Sequence, residues 1–416
     1  MKNLSCFLLN ICLVLSLSGQ DVTYARKQVD TLCSPYFFGR GYVNDGVNKA
    51  ASYLAEEFNH IGLLPGFNDA YLQAFEMKVN TFPGNMVLRT GSKPCEPGKD
   101  FIVDPNSGGI VGKFSFIYLP TNREKLVRQI DTWEKNTVLV LPLYQVKDKE
   151  ERIKLKQLAS GFAQKYPVFI EVDEKFTWSV GNQAWPYPLL QIKKGLLNNW
   201  SYVYLNIEQK LVSDFTSYNV LGMIKGTSTI DSTVVITAHY DHLGGMGNEV
   251  YIPGASDNAS GTAMLLDLAR YYKAHPPEYN ILFIAFAGEE AGLIGSAHYV
   301  RYPSINLSAI RFLVNIDLMG DASKGITIVN GKVHEAAFDT FLNYNAKQNL
   351  LPSIKARGKA ANSDHYWFSE KGVPSFFIYT RGEITAYHDV YDTPEVVNFT
   401  NYEQVFELIT HFVKQL

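Results

Sequence analysis

The second half of the chain alternates short apolar runs with helix-like stretches, and this alternation restricts the fold more than any other feature. Residues 234–238 (VVITA), 281–286 (ILFIAF), 312–316 (FLVNI) and 375–379 (SFFIY) are strand-length runs rich in β-branched and aromatic residues. Between the first two lies a helical stretch from Thr262 to about Lys273, with Ser260 as its expected cap and Pro276-Pro277 behind it. Strands alternating with helices build a mostly parallel sheet covered on both faces. The expected fold class is α/β, with a mixed, mostly parallel central sheet between helices.

The first half has a different texture. Ala50, Leu54, Phe58 and Ile61 recur at helical spacing, and Gly62 with Pro65-Gly66 ends the run. Residues 96–200 look like short strands, with candidates at 114–119 and 137–141 and a charged helix near 147–165. No cluster of acids and histidines stands out there.

Composition limits the function classes. Hydrophobic residues make up 46% of the 416 and charged residues 19%, ordinary values for a packed globular chain. The formal net charge of −3, without a basic run, leaves no electrostatic footprint for nucleic acid. The first 19 residues read as a signal peptide: Lys2, an apolar stretch from Leu4 to Leu17, and small residues at Ser18-Gly19. That stretch is too short and interrupted for a stable membrane span. The chain is expected to be exported, to the periplasm or the medium. Past the leader only Cys33 and Cys95 remain, too few for a disulfide scaffold.

The chemistry gathers at the ends of the four apolar runs. His239-Tyr240-Asp241 follows the first, Glu289-Glu290 the second, Asp317 ends the third, and His388 lies in a loop after the fourth. In open α/β sheets, ligands bind beyond the carboxyl ends of the strands. Each piece alone is weak, since a histidine at a strand end or a Glu-Glu pair is usually structural or solvated. Together they converge on one edge of one sheet. Imidazole and carboxylate are zinc's natural non-thiolate ligands. Two histidines and three or more carboxylates exceed what one tetrahedral ion needs, and they suit two ions about 3.5–4 Å apart. Asp257, in the loop Gly254-Ala-Ser-Asp-Asn-Ala-Ser-Gly261, is the natural bridge. Asp241 reads as a group that orients and polarises His239. His242 and His365 flank these motifs with no role fixed by pattern. A Gly-x-Ser-x-Gly nucleophile turn is absent, which weighs against a serine hydrolase.

The ordered motifs at 238–244 (AHYDHLG), 254–261 (GASDNASG), 286–296 (FAGEEAGLIGS), 315–320 (NIDLMG) and Tyr387-His388 resemble the co-catalytic zinc aminopeptidases of metallopeptidase family 28, including secreted bacterial leucyl aminopeptidases. The resemblance extends to 363–368, 372–374 and 388–393, and upstream to Gly39-Arg40-Gly41, the helix ending at 62–66, and Asn219-Val-Leu-Gly222. It implies a zinc-exopeptidase, phosphorylase/hydrolase-like fold. The peptidase domain would occupy 20–95 and 201–416, interrupted by a β-rich insertion at 96–200 that is similar in place to a protease-associated insertion. It implies that His239 and Asp317 hold one zinc, Glu290 and His388 the other, and Asp257 both. Glu289 would be the general base, Asp241 would buttress His239, and Tyr387 would donate to the oxyanion. The implied substrate is a peptide with a free N-terminus. A single-zinc glutaminyl cyclase, which shares the fold, and a binding ectodomain with a dead site are the rival readings.

Overall fold

The computed structural model describes residues 21–91, 93–128, 133–134 and 136–416, so the leader expected at 1–19 lies outside them. Among the described residues two large sheets organise the molecule. The first has nine strands. Its centre runs Asn280–Phe286, Thr233–His239, Ile310–Asp317, Ser375–Thr380, all mutually parallel. Lys210–Ile224 flanks Asn280–Phe286 antiparallel, and Ile326–Val329 flanks Ser375–Thr380 antiparallel. The four runs expected from the sequence are these four parallel strands.

Their residues alternate between two apolar environments. Val234, Ile236, Phe283, Ala285, Val314 and Ile316 join one buried cluster, which includes residues of the helices Val22–Leu32, Gly46–Ile61, Ser260–Ala274 and Tyr402–Gln415. Val235, Leu282, Ile284 and Leu313 join another, with Tyr299 and Phe368 of the helices Ile294–Arg301 and His365–Glu370. Successive strand side chains point to opposite faces, so a sheet covered on both faces needs apolar residues at every position. Each such buried aliphatic side chain contributes roughly 1.5–3 kcal/mol.

The helix Gly46–Ile61 ends where expected, with Gly62 in the left-handed region at φ 84. The helix after the 254–261 loop spans Ser260–Ala274. Ser260 is not its cap: its hydroxyl donates to the Ser256 carbonyl at 2.7 Å, and the Asn258 side chain accepts the Gly261 N–H at 3.0 Å instead.

The second sheet has eight strands, in the order Lys93–Pro94, Met86–Thr90, Tyr202–Ile207, Ile110–Tyr118, Thr137–Leu141, Val168–Val172, Leu189–Lys193, Phe101–Val103. It draws strands from both sides of the 96–200 interval. Its middle, from Ile110–Tyr118 to Leu189–Lys193, is parallel, and the helix Lys149–Phe162 precedes Val168–Val172. This region is thus itself α/β, with its own buried core around Leu139, Phe169 and Leu190. Cys33 and Cys95 are both buried. No helix among the described residues is long and apolar enough to cross a membrane.

Candidate metal centre

Parallel register carries the acid and imidazole groups to one rim. His239 pairs across to Phe286 and Asp317 to Tyr379, so the turns that follow leave the sheet side by side. His239 is 2% exposed, Asp241 0%, Asp257 4% and Asp317 7%, while Glu289, Glu290 and His388 are partly buried.

Asp257 lies at the centre. One carboxylate oxygen, Oδ1, is 3.3 Å from His239 Nε2, and the other, Oδ2, is 3.0 Å from His388 Nε2. His239 Nε2 also faces Asp317 Oδ2 at 3.4 Å, and His388 Nε2 faces Glu290 Oε2 at 3.3 Å. Two donor sets therefore share one carboxylate. Ligand atoms of His239, Asp257 and Asp317 converge within 4.8 Å of one another, as do those of His242, Asp257 and Glu290.

The loops and strand ends are held by hydrogen bonds from buried polar side chains. Asp392 accepts the N–H groups of Ser256 at 2.8 Å and Asp257 at 3.0 Å. Asn258 accepts the Leu318 N–H at 3.2 Å, tying the bridging loop to the end of the Asp317 strand. Asn315 links Thr237 at 2.6 Å and Ser363 at 2.8 Å across the sheet. Arg40, fully buried, donates to the carbonyls of Tyr240 at 2.7 Å, Pro253 at 2.8 Å and Gly254 at 2.7 Å. It thereby clamps the His239 turn to the Asp257 loop.

The structure refines two expectations. His239 Nδ1 lies 3.1 Å from the main-chain oxygen of Asp241 and 3.7 Å from its carboxylate. That carboxylate serves other donors: the N–H groups of Glu289 at 3.2 Å and Glu290 at 3.4 Å, and the Tyr42 hydroxyl at 3.1 Å. Asp241 thus sets the Glu289-Glu290 turn as much as the imidazole. His242, whose part no pattern indicated, is fully buried and its Nδ1 is 2.7 Å from Glu290 Oε1. Tyr387 is 45% exposed and stacks on the His388 ring at 4.0 Å and 15°.

The electrostatics favour cations. Burial pushes Glu289 well up, Glu290 to about 8 and Asp317 up, with Glu289 and Glu290 raised further by neighbouring carboxylates. Burial opposes charge on His388, but the hydrogen bond it donates to Asp257 and the negative charge of Glu290 outweigh it and lift the imidazole to about 9. Burial likewise opposes charge on His239, yet Asp317 and Glu289 hold it well above the usual range. So many carboxylates gathered in one buried site cannot all ionise cheaply without positive partners. Asp317 Oδ1 and His242 Nε2 are buried without a hydrogen-bond partner, so donor capacity remains. The set of imidazoles and carboxylates fits divalent zinc.

His365 lies in neither convergent donor group. It is fully buried against Phe377 at 5.4 Å, and burial lowers its pKa to about 4. Below its unfolded value of about 6.5 the unfolded chain takes a proton that the folded one refuses, so stability falls as pH drops to about 4. Denaturant titrations of the metal-free protein at pH 7 and pH 4 are expected to show His365→Phe gaining about 3 kcal/mol relative to wild type on acidification. An unchanged difference would contradict the assignment.

Residues 219–413 match the family description "Peptidase family M28". That match covers 195 of the chain's 416 residues and includes both donor sets described above. Aminopeptidase YwaD of Bacillus subtilis is 32% identical over 200 residues, which is 45% of this chain and 41% of that relative. The chain thus spans less than half the length of this curated relative. The zinc aminopeptidase BSAP from Bacillus subtilis superposes with a TM-score of 0.70 over 94% of both chains, at 20% identity. A Peptidase M28 precursor from Shewanella amazonensis gives 0.68 over 95% of this chain and 93% of its own, at 16% identity. The shared fold therefore extends beyond the matched residues into the second sheet.

Proposed function

We propose that the protein is an exported metallo-aminopeptidase that removes N-terminal residues from peptides at a two-zinc centre. The observation that carries this reading is the division of Asp257, whose two oxygens face two different histidines. His239 and Asp317 would hold one zinc, Glu290 and His388 the other, and Asp257 both. Bound there, two zinc ions lower the pKa of water towards neutrality and polarise a peptide carbonyl.

The chain's own residues do the rest. Glu289, set by the Asp241 carboxylate through its N–H, takes the proton from water and returns it to the leaving amine. Tyr387, half-exposed at the rim, offers its hydroxyl to the developing oxyanion. The surplus of carboxylates attracts the cationic amino terminus of a substrate, which favours an exopeptidase over an endopeptidase. Export rests on the leader pattern of residues 1–19. The names of the relatives, an aminopeptidase and a zinc aminopeptidase, support the same chemistry.

The test is zinc content of the purified protein together with hydrolysis of an aminoacyl-p-nitroanilide panel, with and without chelator. Two zinc ions per chain and chelator-sensitive release are expected. One zinc with cyclisation of glutaminyl peptides would replace this reading with the cyclase, and no bound metal would leave a binding protein.

A further inference from the structure

The second sheet reaches the metal centre through the segment that leaves the strand Val168–Val172. There the Trp178 N–H donates to the His388 carbonyl at 2.9 Å, and the Trp178 carbonyl lies 3.0 Å from His388 Nδ1. This reciprocal pair spans 210 residues of sequence. A carbonyl only accepts, so Nδ1 of His388 carries a proton. Nε2 faces Asp257 and Glu290, so once a cation displaces its own proton its lone pair points where a metal ligand's must. His388 also adopts φ 53, a left-handed conformation that a non-glycine residue keeps only when its surroundings hold it.

The segment is itself anchored on both sides. The Trp178 indole is buried, and its N–H donates to the Val103 carbonyl at 2.7 Å inside the second sheet's core. Lys175 Nζ donates to the Thr385 carbonyl at 2.6 Å and pairs with the Asp389 carboxylate at 2.5 Å. It thus grips the His388 loop on either side of the ligand.

The geometry points to Trp178 as a positioning residue: through its main chain, the inserted region sets the tautomer and orientation of His388. This rests on the two-zinc reading of the same site. The second sheet is then a working part of the centre, and one metal position depends on its contact with the peptidase sheet.

The experiment measures both zinc dissociation constants of the full chain by competition with a chelating dye, for wild type, Trp178→Phe and Lys175→Ala. Circular dichroism and an unfolding midpoint check folding. Phe fills most of the indole's space but lacks the bond to Val103, and Lys175 is 45% exposed, so both variants are expected to fold. One zinc should weaken by about 10–100-fold in each variant while the other stays within about twofold. Activity lost at limiting zinc should return with excess zinc. Two unchanged affinities in both folded variants would overturn the proposal, as would equal weakening of both ions. Wild type binding a single zinc would sink the two-zinc reading separately. The positioning claim would then stand or fall on whether that ion weakens in the variants.

Discussion

Glu289→Gln is expected to keep its metal and lose turnover by about 10²–10⁴-fold in kcat. The Glu289 carboxylate lies outside both convergent donor groups, so an amide in its place costs no ligand. Its N–H still meets the Asp241 carboxylate, so the turn that carries Glu290 stays in place. What the amide lacks is a site for the proton of water. Loss should appear in kcat with little change in KM, because the group acts in the reaction step. Zinc content and steady-state kinetics of the variant check this. Turnover near wild type would remove Glu289 as the base, and loss of zinc would make it a ligand.

Arg40→Met should be the most damaging substitution away from the donors themselves. The guanidinium is fully buried and serves the carbonyls of Leu32, Tyr240, Pro253 and Gly254. Each carbonyl left without a donor costs about 1–3 kcal/mol. The sum is not additive, but a loss of at least about 3 kcal/mol in denaturant unfolding is expected. Zinc affinity should fall too, because the clamp joins the turn after His239 to the loop before Asp257. Arg40→Lys is expected to rescue little, since one ammonium on a flexible stem cannot reach carbonyls arranged around a planar fork. Wild-type stability in Arg40→Met would show that the loops hold themselves.

The parallel centre of the fold was legible because strands buried on both faces leave uninterrupted apolar runs, as at 234–238 and 281–286. The convergence of His239, Glu290, Asp317 and His388 followed from where those runs end, and Asp257 was read from the 254–261 loop. Other features carry no pattern that local reasoning can read. Arg40 binds main-chain oxygens, which every residue has, so only its resemblance context marked it. The role of Asn258 in place of Ser260 depends on the path of the loop before the helix. His242 sits three residues past His239, but that spacing does not say that it faces Glu290. The second sheet borrows Met86–Thr90 and Tyr202–Ile207 from outside 96–200 because antiparallel strands can pair across any sequence distance. The Trp178–His388 contact runs through the main chain of Trp178, which every residue type has, and so leaves no trace at that position.

The central claim, two zinc ions sharing Asp257, is most directly tested by anomalous X-ray scattering at the zinc edge from crystals of the zinc-loaded protein. The account predicts two peaks on either side of the Asp257 carboxylate, one beside His239 and Asp317 and one beside Glu290 and His388. A single peak, or two peaks that do not share Asp257, would contradict it.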